Sequence, residues 1–413
     1  KKGRCKMLQR MLKYSQTHFD LWRLLDGITD RRPQPEIPTN QITRTVVVMN
    51  LARMGSLNAV KLSKDSSFWN TLLDNGLPSP DTIGRVNCGV PAGDVRKVIR
   101  ALYTSMRRKK VPLWTIRGLS MLVLDGHESH CSCLQKCSGC LARTHQLKNG
   151  EERTEYYHRH IMGLLIMRDF CFLLDVEPQK SGEDEVAAAT RMLTRLCHDY
   201  PRAFDVVAAD GLYTRSNFFN LVTELGKYVL TILKNEERHL FKDALGLCDL
   251  QKPITIDDGS VMKTIWDLEE LTSWDGIKGS VRVVRSLELS RVKRQRTKKN
   301  EEIEREWWFA TTIPSAIMPA GPVVEFGHGR WAIENQGFNE TVNQWKANHV
   351  YRHDENAMLI FLLLMIISYN LFHLYFWRNL KEAYRKTKTK LHILCLITAE
   401  LYASLCQPKP APA

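Results

Sequence analysis

The chain has 413 residues, 44% apolar and 25% charged, with 59 Lys and Arg against 45 Asp and Glu for a formal net charge of +14. These totals describe a globular protein of two or three domains, and the basic surplus points to a polyanionic partner, either nucleic acid or an anionic membrane surface. Four of the eleven cysteines fall within ten residues and the rest are scattered, which excludes a small secreted disulfide scaffold and suits a reducing cytoplasm.

The opening "KKGRCKMLQR" is basic and lacks the apolar run of a secretory signal. It also begins without Met, as a trimmed chain would. Met7, Leu8, Met11 and Leu12, then Phe19, Leu21, Leu24 and Leu25, recur at amphipathic-helix spacing. Ser79 and Pro80 form an N-cap and first helical position. The following "VPAGDVRKVIRALYTSMRRKK" reads as a helix ending in the cluster Arg107 to Lys110. Residues 1–112 are therefore expected to be a helical domain. Its basic helix ends suit either DNA contact or a solvated, dipole-favoured terminus.

From residue 117 short apolar strands alternate with helices. "GLSMLVLD" is a buried strand ending at Asp125, and "HRHIMGLLIM" and "DFCFLLDVEP" are two more, joined by a turn at Met167 to Asp169. "SGEDEVAAATRMLTRLCHDY" is a helix with Ser181 and Asp184 at capping positions. "FDVVAAD" is a strand ending at Asp210, "TRSNFFNLVTELG" a helix closed by Gly226, and "KYVLTILK" another strand. This order predicts a mixed α/β sheet with flanking helices. Residues 235–305 read as a β-rich insertion, with a hairpin turning at Asp258-Gly259 and a cationic run, "RVKRQRTKKN", at a loop tip. The stretch Ala357 to Trp377 is long enough to cross a bilayer. Ser368, Tyr369, Asn370 and His373 interrupt it, so a buried core or dimer helix is expected and no membrane association. Residues 381–413 are expected to hold a C-terminal helix and a disordered Pro-rich tail.

Asp125 and Asp210 both end apolar strands, where α/β folds direct side chains into a ligand crevice. Asp is also common in turns and caps after strands. In "GRWAIENQGFNETVNQWKANH", ideal helical phase sets Glu334 among Trp331, Phe338, Val342 and Trp345. A carboxylate on such a stripe needs a strong donor, such as Arg330, or a cation. Three hard carboxylates suit two Mg²⁺ (or Mn²⁺) ions and phosphoryl transfer.

"LDGHES", "AADGLYTRSNFFN" and "GRWAIENQGFN", in that order, resemble the bacterial insertion-sequence DDE transposases of the cut-and-paste group, over roughly residues 60–375. The resemblance implies an RNase H-like catalytic domain over residues 113–380, interrupted by a β-rich insertion before the catalytic Glu. It also implies DNA nicking at the element's ends, attack of the freed 3′-hydroxyl on target DNA, and paired subunits working as a homodimer on DNA. In that group the glutamate helix carries a Tyr, Arg, Glu and Lys signature. Arg330 and Glu334 match it, whereas Gly327 and Thr341 stand at the Tyr and Lys positions and Lys346 is the nearest substitute cation. Trp266 and Trp274 are the candidates for holding a flipped base, or are buried cross-strand tryptophans.

Within residues 127–145, Cys131, Cys133, Cys137 and Cys140 offer four soft ligands for a structural Zn²⁺, with His127, His130 or His145 as substitutes. A reduced, metal-free cluster is the alternative. Arg294 and Lys298, in a run from Arg291 to Lys299, are suited to DNA phosphates or to a solvated loop. A transposase-derived DNA-binding protein that no longer cuts, and an RNase H-like nuclease without strand transfer, remain the other functional readings.

Overall fold

The computed structural model describes residues 6–74, 76–234, 239–293, 300–403 and 405. Arg294 and Lys298 and the Pro-rich tail lie outside the described residues. The chain forms two compact units that interleave: Lys1–Pro112 with Gly126–Ala188 and Glu334–Ala413, and Leu113–Asp125 with Ala189–Ile333. They cut across the linear division into residues 1–112, 113–380 and 381–413.

The strands in chain order are β1 (Thr115–Ile116), β2 (Leu119–Ser132), β3 (Leu141–Gln146), β4 (Glu152–Ile166), β5 (Cys171–Pro178), β6 (Val206–Ala209), β7 (Tyr228–Ile232), β8 (Ile254–Asp257), β9 (Val261–Leu271), β10 (Val281–Lys293) and β11 (Asn300–Thr311). In the unit holding residues 113–125 and 189–333, the strand order is β2-β6-β7-β11-β10-β9-β8, with β1 folded back on β2. β2, β6 and β7 are parallel, and β7 to β8 run antiparallel in sequence. The parallel strands are continuous apolar runs because both their faces are covered: Met121 to Leu124, Val206 to Ala209, and Val229 and Leu230 are all buried. This is the mixed α/β, RNase H-like arrangement that the resemblance implies.

Two expectations need correction here. β2 does not end at Asp125 but continues to Ser132. Full burial stops at Asp125, while backbone pairing goes on through half-buried residues, so the apolar run marks the core and not the strand. The insertion also contains a helix, His239–Cys248. Its buried Leu240, Phe241, Ala244 and Cys248 follow helical spacing. The Asp258-Gly259 hairpin forms as read, with Gly259 at φ 83° and Asp258 Oδ1 accepting from the Ser260 and Val261 amides.

In the other unit, β3, β4 and β5 are antiparallel neighbours. The helix Glu355–Arg378 packs against β5 and the helices Thr39–Leu51, Pro80–Asn87 and Ala92–Arg108. It is apolar enough to span a membrane, but 83% of its most apolar window is buried inside the protein. Its polar residues are matched to neighbours. Asn370 donates to Leu173 O at 2.8 Å and accepts from Leu173 N at 3.0 Å, and Ser368 donates to Val47 O. The short helix caps also follow the sequence, since Ser79 accepts from Thr82 N and Asp184 from Ala187 N.

Asn370→Leu would strand both Leu173 backbone groups in the core. We expect a loss of about 3 kcal/mol in urea denaturation, and a change within about 0.5 kcal/mol would remove this pair from the stabilising contacts.

Candidate active site

The parallel register of β2 and β6 leads toward Asp125, inside β2, and Asp210, one residue past the end of β6. Met121, Leu122 and Val123 pair with Val206, Val207 and Ala208, so the pairing stops two residues short of each aspartate. Neighbouring strands are ~4.8 Å apart, close enough for two carboxylates to share a cation.

The register is pinned at its other end. Ser120 N and Oγ both donate to Asp205 Oδ2 at 2.8 Å, and Asp205 N donates to Ser120 O at 3.0 Å. Ser120 and Asp205 stand at the offset of the paired residues, so the clasp holds β2 and β6 in register.

Asp210 is oriented by a local bond. It precedes the short 3-10 turn Gly211–Tyr213, and its Oδ1 accepts from Leu212 N at 2.8 Å. A Cβ on Gly211 would lie 3.1 Å from Ile232 O on the neighbouring strand, which favours glycine after this aspartate. Asp125 is half-buried, and the buried Arg330 brings its Nη1 to 4.0 Å from Asp125 Oδ2. The next carboxylate along β2, Glu128, is engaged elsewhere: Arg143 donates to both its oxygens at 2.8 Å and Arg159 to one at 3.3 Å.

Glu334 is the first residue of the other compact unit and is exposed, contrary to the core-facing stripe expected of it. Its helix is not regular. The helix Ala320–Gly329 ends in a turn, a π-helical segment covers Ile333–Phe338, and α-helix resumes at Asn339–Trp345. A π turn bonds five residues back, so the 100° phase used to place Glu334 does not hold. Of its expected companions only Trp345 is buried, and Trp331, Phe338 and Val342 are half-buried. π segments are frequent at functional sites.

The other signature positions have local explanations. A Cβ on Gly327 would fall 2.2 Å from Phe309 Cε1, so this helix lies too close to β11 for a tyrosine. Thr341 is buried and donates to Gly337 O at 2.7 Å. Lys346 is exposed and left-handed, at φ 58°, where the helix stops.

Trp266 lies under the Arg285 guanidinium, 4.5 Å from its ring centre, and Trp274 packs edge-on to Phe219 at 4.9 Å. A third aromatic group was not anticipated from sequence. Trp307 packs against Trp331 at 5.2 Å and His328 at 5.4 Å, and His328 Nε2 lies 2.7 Å from Glu288 Oε1. Its signal was present as a His and a Trp flanking Arg330.

The cysteine motif separates into two pairs. Cys131 Sγ receives Arg143, and Cys133 Sγ receives Arg153 at 2.8 Å. Cys137 and Cys140 instead meet His158 and His353, and His127, His130 and His145 are not in that group. Burial, reinforced by the neighbouring His353 and His130, lowers His158 to about 4.

Two aspartates thus follow neighbouring parallel strands, and a buried arginine approaches one of them. The model of the family described as transposase DDE domain matches residues 142–371, more than half of the chain. The chain belongs to this family, whose members are metal-dependent and bind DNA. No curated protein matches the chain.

Asp205→Ala removes the acceptor from the buried Ser120 groups. We expect about 2 kcal/mol of lost stability in urea denaturation, and an unchanged midpoint would show that the clasp does not hold the register.

Proposed function

We propose that this chain catalyses DNA strand cleavage and strand transfer of an insertion sequence, with Asp125, Asp210 and Glu334 holding two Mg²⁺ or Mn²⁺ ions. The observation that carries the reading is the parallel β2–β6 register, which runs toward Asp125 and Asp210 on neighbouring strands. Family membership supports it independently. The matched segment includes Asp210, Arg330 and Glu334 but starts after Asp125, so Asp125 enters on its register and its approach to Arg330.

The donors suit the ions, since carboxylate oxygens are the hard ligands that Mg²⁺ prefers. When bound, such a pair of ions stabilises charge on the attacking and leaving oxygens of a phosphodiester. The remaining work falls to the chain. Leu212 N–H holds the Asp210 carboxylate in one direction, and Arg330 offers a planar, permanently charged donor set for phosphate oxygens. Glu334 follows Arg330 by four residues, so the backbone keeps it within about 15 Å of that arginine.

Lys346, Arg294 and Lys298 extend the DNA contact in this reading, and Trp266 or Trp274 holds an unstacked base. Two copies act together on the two element ends, in the cytoplasm.

The test is a Mg²⁺-dependent cleavage and joining assay on a plasmid carrying the gene with its flanking DNA. Asp125→Ala, Asp210→Ala and Glu334→Ala should each lose several kcal/mol of catalysis, about a thousandfold or more in rate. Undiminished cutting by any variant removes that residue. Cutting without joining by the parent makes it a nuclease, and binding without cutting makes it a non-catalytic DNA-binding relative.

A further inference from the structure

Cys137 and Cys140 lie in the loop between β2 and β3, His158 on β4, and His353 just before the cap of the helix Glu355–Arg378. All four belong to one compact unit, and their ligand atoms lie within 4.8 Å of one another. Cys137 Sγ lies 3.8 Å from Cys140 Sγ, His158 Nε2 lies 3.4 and 3.3 Å from these two sulfurs, and His353 Nε2 lies 3.4 Å from Cys140 Sγ.

These distances can be compared with a coordination polyhedron. Zinc bonds of ~2.3 Å to sulfur and ~2.05 Å to nitrogen, set at tetrahedral angles, give edges of ~3.8 Å for S···S and ~3.5 Å for S···N. Four of the six edges match to about 0.2 Å, and the other two lie within 4.8 Å. From these four side chains we infer a structural Zn²⁺ site formed by Cys137, Cys140, His158 and His353.

The local chain supports the ligand pair. Cys140 N donates to Cys137 O at 3.2 Å, closing a turn, and Cys137 N donates to Cys140 Sγ at 3.2 Å. Gly139, inside the turn, passes the helix start so closely that a Cβ would fall 2.7 Å from Glu355 Cγ. Two thiolates and two neutral imidazoles around Zn²⁺ make a site of zero net charge, which a partly buried position tolerates better than a four-thiolate site with two net negative charges. Four protein ligands close the coordination sphere, so the ion's role is structural. It ties the loop to a strand and to the entry of the unit's central helix. Cys131 and Cys133 are excluded, held by Arg143 and Arg153.

Metal analysis of the untagged full-length protein, purified under reducing conditions, should find one zinc ion per chain. X-ray absorption should show two sulfur and two nitrogen neighbours. Cys137→Ser, Cys140→Ser and His353→Ala should lower zinc affinity by more than about tenfold, and the double variant Cys131→Ser/Cys133→Ser should keep it. The spectroscopy on the parent protein decides the matter even if a ligand variant misfolds. A zinc-free parent, a four-sulfur shell, or loss of zinc from the Cys131/Cys133 variant would overturn the assignment.

Discussion

The parallel pairing of β2 with β6 is the constraint on which the candidate active site depends. The aspartates it leads to are 85 residues apart in the chain, and a slip of one residue would turn every side chain of one strand to the other face. Apolar burial alone specifies such a slip weakly in a strand covered on both sides, because each face accepts similar side chains. The Ser120–Asp205 clasp supplies the missing specificity with three directional bonds. A polar contact at one end of the strand pair thus fixes the register about 16 Å before the aspartates, five residues along the strands.

Two kinds of metal chemistry follow each other along the chain. Asp125 offers hard oxygen, suited to a weakly held, partly hydrated ion that leaves room for substrate. Beyond the end of the same strand the chain turns to sulfur and nitrogen, suited to a closed and permanent site. The thiolate and imidazole set should not take Mg²⁺, while metal availability and not affinity keeps zinc from the carboxylates. Between them, Glu128 is neutralised by Arg143 and Arg159, which leaves it poorly suited to compete for a cation.

What could be read from the sequence was what local chemistry decides. Apolar runs marked β2, β6 and β7, Ser79 and Asp184 marked helix starts, and Asp258-Gly259 marked a hairpin. Asp125 and Asp210 stand out in the sequence because polarity changes sharply there, although only β6 ends beside its aspartate. Glu334 was identified by its spacing from Arg330, but its exposure was misread because one π turn upsets the helical phase. Zinc ligands illustrate the other limit. A cysteine cluster is visible in sequence, but nothing local distinguishes Cys137 from Cys131, and His353 lies 195 residues from His158 by numbering. Only the folded chain selects those partners. The helix His239–Cys248 was hidden by the strand-rich sequence around it.

In the proposed site Asp125, Asp210 and Glu334 hold two divalent ions ~4 Å apart. Electron paramagnetic resonance during titration with Mn²⁺ probes this arrangement, since ions at that spacing couple magnetically. We expect a coupled two-ion spectrum that disappears in Asp125→Asn. Isolated single-ion signals at saturation, or a coupled signal indifferent to that change, would contradict it.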